Sequence, residues 1–136
     1  MDIGVARILA QLGYAAESRG DAPLAESLHR EGLAAARRSG DPRALAPAFE
    51  GLAGAASVAA APGDRAALAA EPLGTAAELR ESLGTPSPPA ERHDVDRATA
   101  RLRARPGDEA FATAFARGRA QSPRARAAAL IEHPGR

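Results

Sequence analysis

Apolar positions along this chain recur at intervals of three and four, the spacing that places side chains on one face of an α-helix. The first ladder is Val5, Ile8, Leu9, Leu12, Ala15 and Ala16, and the second is Ala25, Leu28, Gly32, Leu33 and Ala36. Leu45, Ala48, Phe49, Leu52, Ala53 and Ala56 form a third, and Ala69, Leu73, Ala76, Leu79 and Leu83 a fourth. Alternation with period two is sustained nowhere, so the pattern predicts helices and no strands. The ladders are punctuated at Gly20-Asp21, Gly40-Asp41, Gly63-Asp64 and Gly84-Thr85, with Gly107-Asp108 further on. Glycine accepts the left-handed backbone just past a helix end, and aspartate caps the helix that follows.

The grammar repeats. "LGYAAESRGD" begins at Leu12 and "LAGAASVAAAPGD" at Leu52, so paired helices recur with a step of about 40 residues. That period belongs to stacked helical hairpins, in which each unit buries an apolar face against its neighbour. The expected architecture is all-α: antiparallel hairpins stacked as a short tetratricopeptide-like, right-handed solenoid with a small C-terminal helical cluster. Two hairpins occupy residues 1–84, a Pro-rich linker plus C-terminal helices 85–120, and a final helix and frayed tail 121–136. Two hairpins lie near the lower limit for such a stack. Its open face then calls for further repeats or for a second copy.

Prolines and serines refine the boundaries. Pro47 falls about one turn inside the third helix and delays its start, while Pro72 should kink or break the fourth. In "TPSPPAER", Ser87 is read as the cap and Pro88 as the first residue of a fifth helix running to about Arg105, with Val95 and Leu102 inward. Asp108 caps a short helix with Phe111 and Phe115 on one face, and Ser122-Pro123 starts the last.

Composition thins the expected core. Alanine accounts for 37 of the 136 residues, whereas Leu, Ile, Val and Phe together number 22. Alanine favours helix strongly, and a net charge of only +1 argues against a disordered chain. Cysteine is absent, and all 18 basic residues are arginine. Thiolate chemistry, Cys-based zinc sites, a lysine Schiff base and the lysine of a phosphate loop are therefore excluded. No stretch reaches the length of a membrane span, and the N-terminal residues do not read as a signal peptide, so a soluble cytoplasmic protein is expected.

No residues announce a reaction, and no cofactor is called for. His93 and Asp96 lie one turn apart, but Asp94 points elsewhere and no third ligand is suggested, which favours a solvated face over a metal site. His29 is read as a hydrogen-bonded histidine packed between helices, without a nucleophile in reach. "GLAG", Gly51 to Gly54, lies mid-helix with no lysine following, so it is read as a close approach of a neighbouring helix backbone rather than as a phosphate loop. Phe111 and Phe115 are assigned to the core. Arg97, Arg101 and Arg105 form a stripe on the fifth helix, with Arg103 off it, and are the candidate partner-binding residues. A solvated face is the simpler reading of that stripe; contact with an acidic helix or with phosphates is the functional one.

Two stretches carry a family resemblance. The segment from Gly20 to Ala56, "GDAPLAESLHREGLAAARRSGDPRALAPAFEGLAGAA", resembles the tetratricopeptide-type repeats of MalT-like bacterial regulators. "LGTAAELRESLGTPSPPAER" and "AFATAFARGRA" are similar to the C-terminal end of LuxR- and AfsR-type transcriptional regulators and predicted ATPases. The likeness spans roughly Ile8 to Ala120. Pro72 departs from it, as do Arg124 and Arg126 in a segment where the family tends to be acidic. It implies a detached or truncated sensor portion that bears neither the family's ATPase nor its helix-turn-helix domain. The function expected is a non-enzymatic protein-interaction or sensor module, with a protein or peptide partner that could be an attached or separate regulator, and with homodimerisation as a further option. The alternative is a nucleic-acid-binding segment using the C-terminal arginines.

Overall fold

A computed structural model describes residues 1–59 and 63–132, with backbone alone for Gly63 and Asp64. The cap expected of Asp64, the third histidine His133 and the expected frayed tail lie outside the described residues. Those described form α1 (Asp2–Ser18), α2 (Ala22–Ser39), α3 (Leu45–Val58), α4 (Gly63–Leu68), α5 (Ala70–Leu83), α6 (Pro89–Ala104), α7 (Asp108–Arg119) and α8 (Pro123–Glu132), with one 3-10 turn at Pro42–Ala44. The protein is all-α among these residues.

The turn chemistry explains the boundaries. Gly20, Gly40, Gly84 and Gly107 have positive φ, the conformation for which glycine is suited at a helix end. The Asp21 carboxylate accepts from the Leu24 N–H at 3.2 Å and opens α2. Asp41 caps the 3-10 turn, and α3 begins after it at Leu45, so Pro47 sits in the first turn, where its missing N–H costs nothing. The segment between Gly63 and Gly84, expected to hold one helix, holds two. The helix breaks at Ala69 and restarts as α5 with Pro72 in its first turn. At the fifth helix the register is one residue later than Ser87-Pro88 suggests: Pro88 stands at the cap position and Pro89 is the first helical residue. The Ser122 hydroxyl accepts from the Ala125 N–H at 3.3 Å and starts α8.

Helices α1 and α2 pack along each other, α3 lies against both, and α5 packs on α3. From there α6 covers another side of α3 and α7 crosses α5. The last helix folds back onto α2 and α5. One apolar cluster joins Leu33, Phe49, Leu52, Leu79 and Leu130, from α2, α3, α5 and α8. A second joins Ala53, Leu73, Leu102 and Phe111, from α3, α5, α6 and α7. Burying a leucine or phenylalanine contributes roughly 1.5–3 kcal/mol, so these few large side chains anchor an otherwise alanine-lined interior.

α3 is the central element. Ten of its 14 residues are buried, including Glu50 and Ser57. α1 differs from the expected pattern. Gly13, Ala16 and Glu17 are buried, while Val5, Ile8, Leu12 and Ala15 remain exposed. Its apolar residues cover so much of the helix circumference that periodicity alone could not select the inward face.

Candidate partner-binding cleft

Two anchorages pull α6 and α7 apart. α6 is fixed to α3 through buried Ala98 and Leu102. α7 is drawn onto α5 through a glycine seam: a Cβ at Gly74 would fall on the Phe115 carbonyl, and one at Gly118 on the Glu71 carbonyl. The Thr75 hydroxyl donates to the Gly118 carbonyl at 2.8 Å across this crossing. Gly107, with φ 97°, turns the chain between the two diverging helices.

The result is a cleft of about 700 Å³ between α5, α6 and α7. Leu73, Val95, Phe111 and Phe115 supply its apolar surface. The two phenylalanine rings stack with centroids 5.7 Å apart. Phe111 is buried and Phe115 only half-buried, so this pair serves both core and cleft. Val95, expected inward, is also half-buried and lines the opening.

Charged side chains of both signs line the cleft, with the Arg80–Glu50 pair in its buried wall. Arg80 donates from Nε and Nη2 to the two oxygens of buried Glu50, each at 2.8 Å, and from Nη1 to the Thr85 carbonyl at 3.0 Å. The hydrogen bonds that Arg80 donates to Glu50 hold its guanidinium above its ordinary pKa. The Arg103 guanidinium stands 4.8 Å from the centre of the Phe111 ring and 3.7 Å from the Asp108 carboxylate. Arg92 and Asp96 complete the rim. Three arginines thus face three carboxylates around an apolar floor, an arrangement that suits an amphipathic segment better than a polyanion.

The arginine stripe lies elsewhere. Arg97 bonds to Asp94. Arg101 reaches Glu17 of α1 at 3.4 Å and Ser57 of α3 at 3.5 Å. Arg105 donates to the Ala59 carbonyl. None of the three lines the cleft, whereas Arg103, off the stripe, does. Arg80 and Glu50 escaped the sequence reading because they stand 30 residues apart and on faces that periodicity assigns to solvent.

A second polar layer joins α1, α2 and α3. His29 is 1% exposed, and neither ring nitrogen has a hydrogen-bond partner, which corrects the expected hydrogen-bonded histidine. Burial lowers its pKa to about 4. The Tyr14 ring meets it edge-on at 4.9 Å between centroids. Methyls at Gly13 or Gly51 would overlap the imidazole, and one at Gly54 would overlap the Glu17 carboxylate. "GLAG" is therefore a slot for two buried polar side chains. Close backbone approach occurs instead at Gly74 and Gly118. Burial raises the Glu17 pKa, against the lowering effect of Arg101.

His93 is exposed, and Asp94 is engaged by Arg97. Among the described residues no group of three or more His, Cys, Asp or Glu side chains could hold a metal ion. None of their helices is long and apolar enough to cross a membrane. No family model, curated protein or solved structure matches the chain.

Proposed function

We propose that the protein is a non-enzymatic interaction module whose α5–α6–α7 cleft receives an amphipathic segment of a partner protein. The observation that carries this reading is the half-buried Phe115, stacked on buried Phe111, lining a cleft bordered by charges of both signs. An apolar side chain from the partner would cover Val95 and Phe115, and its flanking charges would meet Arg92 and Asp96. In this reading the hairpins form a short tetratricopeptide-like stack, and the partner belongs to a bacterial transcriptional regulator of the MalT-like, LuxR or AfsR kind, acting in the cytoplasm. The regulator context rests on the sequence resemblance. The intramolecular bonds of Arg97, Arg101 and Arg105 favour a protein partner over nucleic acid.

Panning amphipathic peptides against the intact protein tests this. Enriched peptides should shift the amide resonances of α5, α6 and α7. Ala112→Arg, at an exposed position in the lining, should weaken them by at least about tenfold. Affinity should change little between about 50 and 200 mM salt, where phosphate-dominated binding falls by roughly a thousandfold or more. Peptides that map to another surface, or that ignore Ala112→Arg, would refute the cleft.

A further inference from the structure

Met1, Val5, Ile8, Leu12 and Ala15 follow one another at steps of four, three, four and three. That is the a/d spacing of a helix pairing with another helix. All five are exposed, Ile8 at 59%. They run along the side of α1 turned away from Gly13 and Glu17, which face the body of the molecule. α1 thus has two apolar faces, one packed within the chain and one without a neighbour among the described residues.

We propose that this outer face pairs antiparallel with α1 of a second copy. The occupant is argued from self-complementarity. With the two-fold axis at the middle of α1, near Ala10, residue i lies opposite residue 20 − i. Ile8 then meets Leu12 and Val5 meets Ala15, so large side chains fill the centre and the smaller pair lies outside them. Met1 meets the aliphatic stem of Arg19. At each end Asp2 of one copy comes within reach of Arg19 of the other, an opposite-charge contact made twice by symmetry. The flanking positions Gly4, Gln11 and Ser18 carry no charge, so the copies approach without like-charge repulsion, and the two Gln11 amides lie close to the axis. A parallel pair would instead set Asp2 beside Asp2 and Arg19 beside Arg19 and align the two helix dipoles. Five exposed side chains per copy bury at most roughly 1,000 Å² in total, the size of a weak, transient interface, so half-dissociation is expected at roughly tens to hundreds of micromolar.

Sedimentation equilibrium of the full chain between about 5 and 500 μM tests this. The wild type should show a monomer–dimer equilibrium that Ile8→Glu and Leu12→Glu each abolish. Both residues are exposed, so the variants should keep the helical circular dichroism of the monomer. Arg19→Glu should raise the dissociation constant at least about fivefold. Asp2→Arg combined with Arg19→Glu should restore it to within about twofold, since the charges then exchange places across the interface. The intrachain ion pair lost with Asp2, to Arg38 at 3.6 Å, is exposed and carries little stability. A wild type that stays monomeric throughout would overturn the proposal. So would a dimer indifferent to Ile8→Glu, or an Arg19→Glu defect that the double variant does not repair. A monomer whose α1 resonances respond instead to anionic phospholipid vesicles would assign the stripe to a membrane surface and equally overturn the pairing.

Discussion

Leu12 of α1 and Leu52 of α3 open the two copies of the same sequence phrase, yet Leu12 is 49% exposed and Leu52 only 7%. Ala15 and Ala55 differ in the same sense, for Ala55 packs with Ala16 and Ala25 while Ala15 faces outward. The helices carry similar patterns, so the difference comes from what stands before each of them. α3 has the α1–α2 hairpin on one side and α5, α6 and α8 around the rest. The outer face of α1 has no such neighbour within the described residues. Burial is thus decided by position in the fold as much as by residue type.

The contrast extends to polar groups. α3 gives up two glycines to house the His29 ring and the Glu17 carboxylate, whereas Gly4 on the outer edge of α1 has nothing within 4 Å of an added Cβ. Three perturbations separate the filled seam from the open one. The largest is acid. The His29 pKa falls from 6.5 to about 4 on folding, so the unfolded chain takes up its proton first. His29 stability is therefore complete above pH 6.5, erodes as the pH falls toward 4, and totals about 3 kcal/mol. Glu17, with its pKa raised, acts in the opposite direction as the pH falls through its folded value toward 4.5. Urea titrations should show roughly 2 kcal/mol lost from the His29 contribution between pH 7 and 5. A decline no steeper in the wild type than in His29→Ala would show that His29 is not buried neutral.

Next in size is Gly51→Ala, which forces a methyl into the imidazole and should cost about 2 kcal/mol in chemical denaturation. In a His29→Ala background the clash is absent, so the two substitutions should be strongly non-additive. The smallest effect lies on the open side. Gly4→Ala meets no atom and should stabilise by roughly 0.5–1 kcal/mol through helix propensity, read as a higher midpoint.

Much of the scaffold was legible because its determinants are local. Glycines with positive φ, the caps at Asp21 and Asp41, and helix-starting prolines act within a few residues of where they stand, whereas α7 has Gly107 at its cap and Asp108, expected there, as its first helical residue. The ladder positions Ala48, Phe49, Leu52 and Ala53 of α3 are likewise buried. What escaped depended on partners far along the chain. Glu17 is buried beneath Arg101, 84 positions away, and Glu71 is held by Arg117 and Gln121 across the α5–α7 crossing. Neither carboxylate differs locally from a solvated one. The cleft was hidden for the same reason, since it arises from the divergence of α6 and α7 and no motif marks that. Phe111 and Phe115 were visible as a pair, but their half-open position follows from the glycine seam beneath them.

The most direct test of the contrast between the two copies is the pair Leu12→Ala and Leu52→Ala, unfolded in urea at about 1 μM, where copies of the chain are separate. Leu52 leaves a cavity among Leu33, Phe49 and Leu79 and should lose about 2–4 kcal/mol, whereas Leu12 gives up surface already in water and should lose less than about 0.5 kcal/mol. Equal losses at the two positions would contradict the account, because they would mean that α1 is as enclosed as α3.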